Sequence, residues 1–264
     1  MKAIRYFSVI FGLLFIFSCS YDLAGQCVSG KGAIKTETRN VSGFTKIKVK
    51  GSADVFVTYG DSFSVKVSDY ENILPLVRTQ VSDSVLTVDY SRCVSRSRGK
   101  VEIVMPKIER LDVVGSADVN ITGDFEPAGN AKILVSGSGD IDLSGFVSEN
   151  TEVEILGSGD VNMDFSKPVN ILKIDISGSG DVTISGQTAG KIIAKIRGSG
   201  DFNARNIKAS ALEITSLGSG DCKVRVTDTL IARLSGSGDL YYTGNPSVFR
   251  IKASGSGEIV SFEQ

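Results

Sequence analysis

Residues 176–186 read ISGSGDVTISG, in which the tetrapeptide Gly-Ser-Gly-Asp stands between two runs of alternating apolar residues. The same tetrapeptide begins at six positions of the chain, and the variants GSAD and GSGE begin at three more. The nine copies start at Gly51, Gly115, Gly137, Gly157, Gly178, Gly198, Gly218, Gly236 and Gly255. From Gly115 onward, successive copies are 22, 20, 21, 20, 20, 18 and 19 residues apart. A nearly constant period of this size marks an internal repeat, with one structural unit per repeat.

The apolar alternation continues without interruption through each tetrapeptide. In residues 170–186, Leu172, Ile174 and Ile176 fall at every second position, and both glycines of the motif and the apolar residues after them continue this series. The positions in between are polar. This pattern is typical of strands with one buried face. Alanine replaces the second glycine at positions 53 and 117, so that position requires a small residue more than a positive φ. The tetrapeptide is therefore interpreted as a tight corner between two strands.

A unit of about 20 residues with two strands and one corner predicts an all-β fold, in which each unit is one coil of a parallel β-helix. Stacked coils lie ~4.8 Å apart, so eight coils would form a rod roughly 38 Å long. The main alternative is an antiparallel β-sandwich. A sandwich does not readily explain why one corner sequence recurs at a constant spacing.

The repeat is less regular in the N-terminal part of the chain. Gly51 and Gly115 are 64 residues apart and no copy of the motif begins between them, although several stretches still alternate like strands. The segment YENILPLVRTQ interrupts them and predicts a short helical turn before Pro75. Residues 41–110 are therefore interpreted as divergent coils or a strand-rich cap, and residues 111–264 as the regular β-helix.

The N-terminus carries the features of an export signal. Lys2 and Arg5 precede an apolar run of 12 residues, which is too short to span a bilayer but suits a signal peptide over residues 1–18. The run ends in Ser18-Cys19, which resembles a bacterial lipobox, so Cys19 is the predicted lipid attachment site. Residues 19–40 are polar and aperiodic and are predicted to be a flexible tether. The alternative is ordinary signal-peptidase cleavage, which would release a soluble secreted protein.

Composition excludes several classes of chemistry. The chain contains no histidine, which rules out catalysis or zinc binding through imidazole, and its net charge of -1 argues against nucleic acid as the main partner. In an exported protein, Cys27 and Cys93 are candidates for a disulfide. Cys222 takes an inward position and is predicted to be a buried structural thiol.

Each corner ends in an outward acidic residue, and in register these residues would form a column of carboxylates. The predicted column consists of Asp118, Asp140, Asp160, Asp181, Asp201, Asp221, Asp239 and Glu258. Neighbouring charges at ~4.8 Å repel by ~0.9 kcal/mol in water, so some interaction must offset the repulsion. The favoured interpretation is that the carboxylates accept hydrogen bonds from corner backbone N–H groups, with no cofactor. The alternative is that Ca²⁺ binds between Asp140, Asp160, Asp181, Asp201, Asp221 and Asp239.

Two further surface features are candidates for ligand contact. A basic cluster, defined as Arg92, Arg96, Arg98 and Lys100, could touch anionic glycans, although a solvated loop is the simpler interpretation. Tyr241 could be a stacking platform for sugars, whereas Tyr242 has inward parity. A role of this pair in the core or at the edge is the safer interpretation.

The combination of GSADV, YENILPLV and serial SGSGD resembles the putative auto-transporter adhesin, head GIN domain family, over roughly residues 38–262. The resemblance implies a right-handed β-helix on an exported, often lipid-anchored protein of Bacteroidetes-type bacteria, and it supplies no catalytic residues. It leads us to expect a non-enzymatic lipoprotein of the outer membrane, facing the periplasm or the surface, with a glycan, matrix or protein partner. A homotrimer is expected by analogy alone. The alternatives are a polysaccharide lyase or hydrolase and an envelope sensor or scaffold.

Overall fold

A computed structural model describes residues 27–125 and 128–262 of the chain. The described residues form 22 β-strands and one short 3-10 helix, Leu74–Leu76. The first ten strands are β1 (Val28–Ser29), β2 (Ile34–Arg39), β3 (Lys46–Gly51), β4 (Asp54–Tyr59), β5 (Ser64–Tyr70), β6 (Val77–Ser82), β7 (Val85–Tyr90), β8 (Val94–Ser95), β9 (Lys100–Met105) and β10 (Arg110–Gly115). The remaining strands are β11 (Val119–Thr122), β12 (Ala128–Gly137), β13 (Ile141–Phe146), β14 (Ser148–Gly157), β15 (Val161–Phe165), β16 (Val169–Gly178), β17 (Val182–Gly198), β18 (Phe202–Ser216), β19 (Cys222–Gly236), β20 (Leu240–Thr243), β21 (Val248–Gly255) and β22 (Ile259–Ser261).

From β10 onward the strands form stacked parallel coils. Gly115 is in register with Gly51 on one side and with Gly137 on the other, and the same pairing continues from Gly137 through Gly157 and Gly178. The chain is therefore a parallel β-solenoid, and the predicted fold class is confirmed. The parallel pairing excludes the antiparallel sandwich.

Each coil contributes one strand to each of two sheets, which meet at the tetrapeptide corner. The first sheet contains β3, β10, β12, β14, β16 and β21, and the second contains β4, β11, β13, β15, β20 and β22. The long strands β17, β18 and β19 bend and contribute their N-terminal parts to the second sheet and their C-terminal parts to the first.

The core consists of columns of apolar side chains that run along the solenoid axis. One column of the first sheet comprises Val135, Ile155, Ile176, Ile196, Ser216 and Leu234, all buried and in register. Only Ser216 interrupts its apolar character. Burial of each aliphatic side chain stabilises the fold by about 1.5–3 kcal/mol. Each coil obtains most of this burial from its neighbours, so the solenoid is stable only as a stack.

The irregular N-terminal part folds back around the first coil. Strand β3 pairs in parallel with β7 and with β10, and β4 pairs in parallel with β9 and with β11. The β3–β4 coil therefore lies between the β7–β9 coil and the β10–β11 coil. The 64-residue gap between Gly51 and Gly115 is filled by the terminal coil and its cap. The predicted helical turn exists, but it contains Pro75 instead of ending before it.

Antiparallel strands close the N-terminal end. Strand β5 pairs antiparallel with β9, β2 pairs antiparallel with β5, and β6 pairs antiparallel with β7. The tether predicted over residues 19–40 is therefore wrong for residues 34–39, which form β2. The reason is that β2 is an exposed edge strand with polar residues on both sides, so its sequence lacks the apolar alternation that identifies strands. The signal peptide and Cys19 lie outside the described residues.

Candidate functional site

The tetrapeptide corners stack so closely that the glycine positions have no space for a side chain. The backbone N–H groups of Ser158 and Gly159 both donate to the carbonyl oxygen of Gly137 in the preceding coil, at 2.9 and 3.3 Å. A Cβ on Gly157 would overlap the same oxygen, and Gly157 also has a φ of +155°. A Cβ on Gly159 would overlap the Gly139 carbonyl oxygen, and this glycine has no left-handed φ. The second glycine is thus required for its size, as alanine at positions 53 and 117 predicted.

The acidic residues that follow the corners form a continuous ladder, here called the aspartate ladder. Each carboxylate except the last accepts the backbone N–H of the acidic residue in the next coil, with N···O distances of 2.7–3.0 Å. The ladder contains Asp118, Asp140, Asp160, Asp181, Asp201, Asp221, Asp239 and Glu258, in that order. Hydrogen bonds to a charged acceptor contribute about 1.5–3 kcal/mol when desolvated. Solvent exposure reduces that figure, but each hydrogen bond acts against the repulsion between neighbouring carboxylates.

The C-terminal end of the ladder shows the electrostatic effect of these hydrogen bonds. The Glu258 backbone N–H donates to the Asp239 carboxylate at 2.7 Å, and the Tyr241 hydroxyl donates to it at 2.9 Å. These two hydrogen bonds, the backbone one foremost, hold the pKa of Asp239 below its usual value. The same contact with Asp239 raises the pKa of Tyr241. The Tyr241 ring is therefore fixed against the ladder, and Lys223 lies 6.0 Å from its centre.

No described group of three or more His, Cys, Asp or Glu side chains lies close enough together to hold a metal ion. In the ladder, one oxygen of each carboxylate from Asp118 to Asp239 is committed to a backbone N–H, which leaves one oxygen per coil for other contacts. Binding of Ca²⁺ between the ladder carboxylates stays a prediction, which titration with Ca²⁺ can test. The residues concerned are Asp140, Asp160, Asp181, Asp201, Asp221 and Asp239.

Beside the ladder, the outer surface of the second sheet carries short polar side chains on successive coils. This surface, here called the polar face, consists of Asn120, Thr122, Asp142, Ser144, Asn162, Asp164, Thr183, Ser185 and Asn203. Hydrogen bonds connect neighbouring coils: Asn162 Nδ2 donates to Asp142 Oδ1 at 3.0 Å, and Ser185 Oγ donates to Asp164 Oδ1 at 2.7 Å. The polar face is thus an ordered array of hydroxyl, amide and carboxylate groups at the coil spacing. The alternation of the sequence predicts the outward position of these residues, but no motif marks them as a site.

The first sheet carries a groove on its outer surface, with a volume of about 540 Å³. Its basic residues Lys46, Arg110, Lys132 and Lys173 alternate with acidic ones. Lys132 Nζ lies 2.8 Å from Glu152 and 3.0 Å from Glu154, and hydrogen bonds to these carboxylates raise the pKa of Lys132. Much of the charge in this groove is therefore neutralised internally.

The two cysteines proposed as a pair form a disulfide in the structure. Cys27 and Cys93 are bonded, with Cα atoms 4.6 Å apart and a separation of 66 residues in sequence. The bond attaches β1 to the loop that carries the basic cluster, where β1 and β8 pair in parallel. Arg92, Arg96 and Arg98 are exposed there, whereas Lys100 pairs with Glu102 and lies over the Phe56 ring.

A buried network beneath this loop was not predicted from sequence. Asp69 is fully buried, and it accepts hydrogen bonds from Ser97 Oγ at 2.6 Å and from the backbone N–H of Arg98 at 3.0 Å. The Tyr90 hydroxyl lies 2.8 Å from Ser97 Oγ, and burial raises the pKa of Tyr90 to about 12. This network fixes the loop of residues 91–99. The loop takes the position that a tetrapeptide corner has in the regular coils.

The remaining candidates occupy core or edge positions. Cys222 is fully buried in the second sheet, and burial raises its pKa to about 12, so the thiol stays protonated. Tyr242 packs against the core and against Phe249, with ring centres 5.3 Å apart. No helix among the described residues has the length and apolarity needed to cross a bilayer.

The fold and its corners define a class of β-solenoid proteins with GSxD-type turns. The family model for "Putative auto-transporter adhesin, head GIN domain" matches residues 43–246, and the chain belongs to this family. The resemblance seen in the sequence is thereby confirmed. No curated protein matches the chain.

Solved structures of similar proteins share the fold. A putative adhesin from Parabacteroides distasonis is 26% identical, with a TM-score of 0.82, over 89% of this chain and 100% of that one. A putative adhesin from Parabacteroides merdae is 21% identical, with a TM-score of 0.81, over 90% of this chain and 100% of its own. A protein described as a putative lipid binding protein, also from P. distasonis, is 23% identical, with a TM-score of 0.73 and coverages of 90% and 100%. The family and the two adhesin-like neighbours are thus named for adhesion and not for an enzymatic activity.

Proposed function

We propose that the chain is a non-enzymatic adhesin of the cell envelope that is anchored through a lipid on Cys19 and binds a glycan through its polar face. The lipobox-like sequence before Cys19 supports the anchor. Family membership supports adhesion. The observation that carries the choice of ligand is the polar face itself, because regularly spaced hydroxyl, amide and carboxylate groups match the hydrogen-bonding groups of a sugar polymer.

Repetition also explains how weak contacts would add up. Each coil offers a similar set of groups, so a polymer that contacts several coils at once gains affinity through effective concentration. A hydrolase or lyase would instead need one distinct set of catalytic groups. The polar face instead repeats short hydroxyl and amide groups from coil to coil, with carboxylates only at Asp142 and Asp164, and such repetition is expected for a binding surface.

The test is a binding array of glycans and matrix proteins, probed with the chain from residue 20 so that Cys27 is retained. Asn162→Arg places a bulky cation in the middle of the polar face and is expected to abolish binding. Leu156→Arg places the same group on the outer surface of the first sheet, where Leu156 is 45% exposed, and is expected to leave binding unchanged. Equal loss with both variants, or no ligand in the array, would contradict the choice of surface. Cleavage of a bound polysaccharide would favour the enzymatic alternative.

A further inference from the structure

The two ends of the solenoid are built differently. At the N-terminal end, the edge strand β2 carries Lys35, Glu37 and Arg39 on its core-facing side. Their orientation follows from the register, because Glu37 lies opposite the buried Val67. Arg39 pairs with Glu37 at 3.1 Å and donates to the carbonyl oxygen of Leu74 at 3.2 Å. Inward-pointing charges of this kind prevent the addition of a further strand.

The C-terminal end has no such seal among the described residues. Strand β21 pairs only with β19 and β22 only with β20, so their outer edges are open. The inward residues of β21 are apolar, namely Phe249, Ile251 and Ala253. Phe249 is 49% exposed, although its counterpart in the preceding coil, Leu230, is fully buried. The last coil therefore presents both unpaired backbone groups and an uncovered apolar surface.

The outward residues of β21 indicate which strand would fit this edge. Arg250 and Lys252 alternate with the apolar residues of β21, and Lys252 lies opposite Arg233 of the preceding coil. Within the described residues, Arg233, Arg250 and Lys252 form no ion pair. An incoming strand with acidic side chains opposite Arg250 and Lys252 would form favourable cross-strand pairs.

A second copy of the chain fits this edge poorly. If two copies of β21 paired antiparallel with Ile251 on the core side, the central registers would place Arg250 or Lys252 opposite Arg250 or Lys252 of the other copy. Like charges directly opposite each other destabilise a strand pair. Head-to-tail stacking would bring the second-sheet edge against the charged side of β2 and would bring β21 against β6, which has no acidic residue to pair with Arg250 or Lys252. Both geometries of self-association are therefore disfavoured.

We infer that the C-terminal end of the solenoid is a strand-acceptor site for a partner protein, whose extended segment alternates apolar with acidic residues. The apolar residues of the segment cover Phe249 and Ile251, the acidic ones pair with Arg250 and Lys252, and the backbone continues the first sheet. This site lies apart from the polar face and does not depend on it.

The test uses a fluorescent eight-residue peptide that alternates glutamate with valine or isoleucine. Its affinity for the chain from residue 20 is compared by fluorescence anisotropy with that of a peptide carrying lysine in place of glutamate. The double variant Arg250→Glu/Lys252→Glu reverses the charge of the exposed edge without touching the core. The double variant Lys195→Glu/Lys208→Glu makes the same charge change at exposed positions away from the end.

The glutamate peptide is expected to bind about tenfold more tightly than the lysine peptide, because two attractive pairs replace two repulsive ones. The edge variant is expected to reverse this preference and the control variant to retain it. Binding of the glutamate peptide should also slow hydrogen exchange of the β21 amides. Equal affinity for both peptides would overturn the inference. So would a preference that the edge variant leaves intact, or self-association of the unmodified chain through β21 in sedimentation.

Discussion

The carboxylate of Asp160 accepts the backbone N–H of Asp181 in the next coil, and the two atoms lie 2.8 Å apart. The Val161 backbone N–H in turn donates to the Asp181 carbonyl oxygen at 2.9 Å. At the acidic position of each corner, one side-chain and one backbone hydrogen bond thus join the same two coils, in addition to the backbone hydrogen bonds that the first glycine accepts. The acidic residue acts as a fixed acceptor at a place where the backbone alone leaves one donor unpaired.

Replacement of Asp160 separates the role of the acceptor from that of the charge. Asp160→Asn keeps an oxygen for the Asp181 N–H and removes one repulsive charge, so we expect the free energy of unfolding to stay within about 0.5 kcal/mol of the original. Asp160→Ala removes the acceptor and is expected to cost about 1 kcal/mol. Chemical denaturation measures both. A loss with Asn as large as with Ala would show that the negative charge itself is needed.

Calcium titration tests the remaining alternative for the aspartate ladder. Because one oxygen of each carboxylate already accepts a backbone N–H, we expect Ca²⁺ to produce no heat in calorimetry and no shift in melting temperature. A saturable heat that disappears in the Asp160→Asn variant would establish a cation site instead.

The close approach of the corners predicts that glycine-to-alanine substitutions lower the free energy of unfolding by amounts that depend on the position of the glycine. Gly157→Ala combines a positive φ with overlap of the Gly137 carbonyl, and we expect it to lower the free energy of unfolding by more than about 2 kcal/mol. Gly43 has a φ of +75° with open space around it, so Gly43→Ala should cost about 1–2 kcal/mol. Gly129 has open space and no left-handed φ, and alanine there should change stability by less than about 1 kcal/mol. Equal effects at Gly157 and Gly43 would contradict the role assigned to coil stacking.

The disulfide is expected to stabilise the N-terminal cap. Cys27 and Cys93 are 66 residues apart, and closing a loop of that size in the unfolded chain is worth up to about 4 kcal/mol. Cys93→Ser should therefore lower the melting temperature and make it insensitive to reductant. The matched control is Cys222→Ala, which changes stability but leaves the effect of reductant intact. A Cys93→Ser variant that still responds to reductant would contradict this assignment.

Burial of Cys222 makes stability depend on alkaline pH. Its pKa rises from 9.0 to about 12 in the folded chain, so above pH 9 the unfolded chain binds fewer protons than the folded one. The contribution to the free energy of unfolding is constant below pH 9 and decreases as the pH rises toward 12. We expect Cys222→Ala to flatten the decline between pH 9 and 10.5 in denaturation experiments. The thiol should also resist modification at pH 8 until the chain is unfolded, and rapid modification of the folded chain would refute its burial.

The regular half of the fold could be predicted because one physical constraint recurs in it. The corner glycines and the alternation around Ile176 fixed both the coil length and the inward face. Strand β2 was missed because an edge strand with charges on its inward side has no apolar pattern. The place of the β3–β4 coil was missed because its neighbours on one side come from residues 85–105, later in the sequence, and parity does not tell which coil adjoins which.

The candidate site was predictable only in part, for a related reason. The outward position of Asp160 follows from alternation, but its hydrogen-bond donor lies 21 residues away and depends on the stacking register. The burial of Asp69 could not be predicted from the sequence, because its hydrogen-bond donors Ser97 and Arg98 come from a loop without periodicity. Interactions between neighbouring coils can be read from a repeat only after the offset between coils is known.

The position of the β3–β4 coil between two later segments imposes an order of assembly on the nascent chain. The polypeptide emerges N-terminus first, yet this coil lacks both of its neighbours until residues 85–105 and 110–122 have also emerged. Its apolar side chains must remain uncovered for that interval. Once both neighbours are in place, every later coil can dock as soon as it is complete, so we expect growth to be vectorial from then on and the assembly of residues up to 122 to be the slow step.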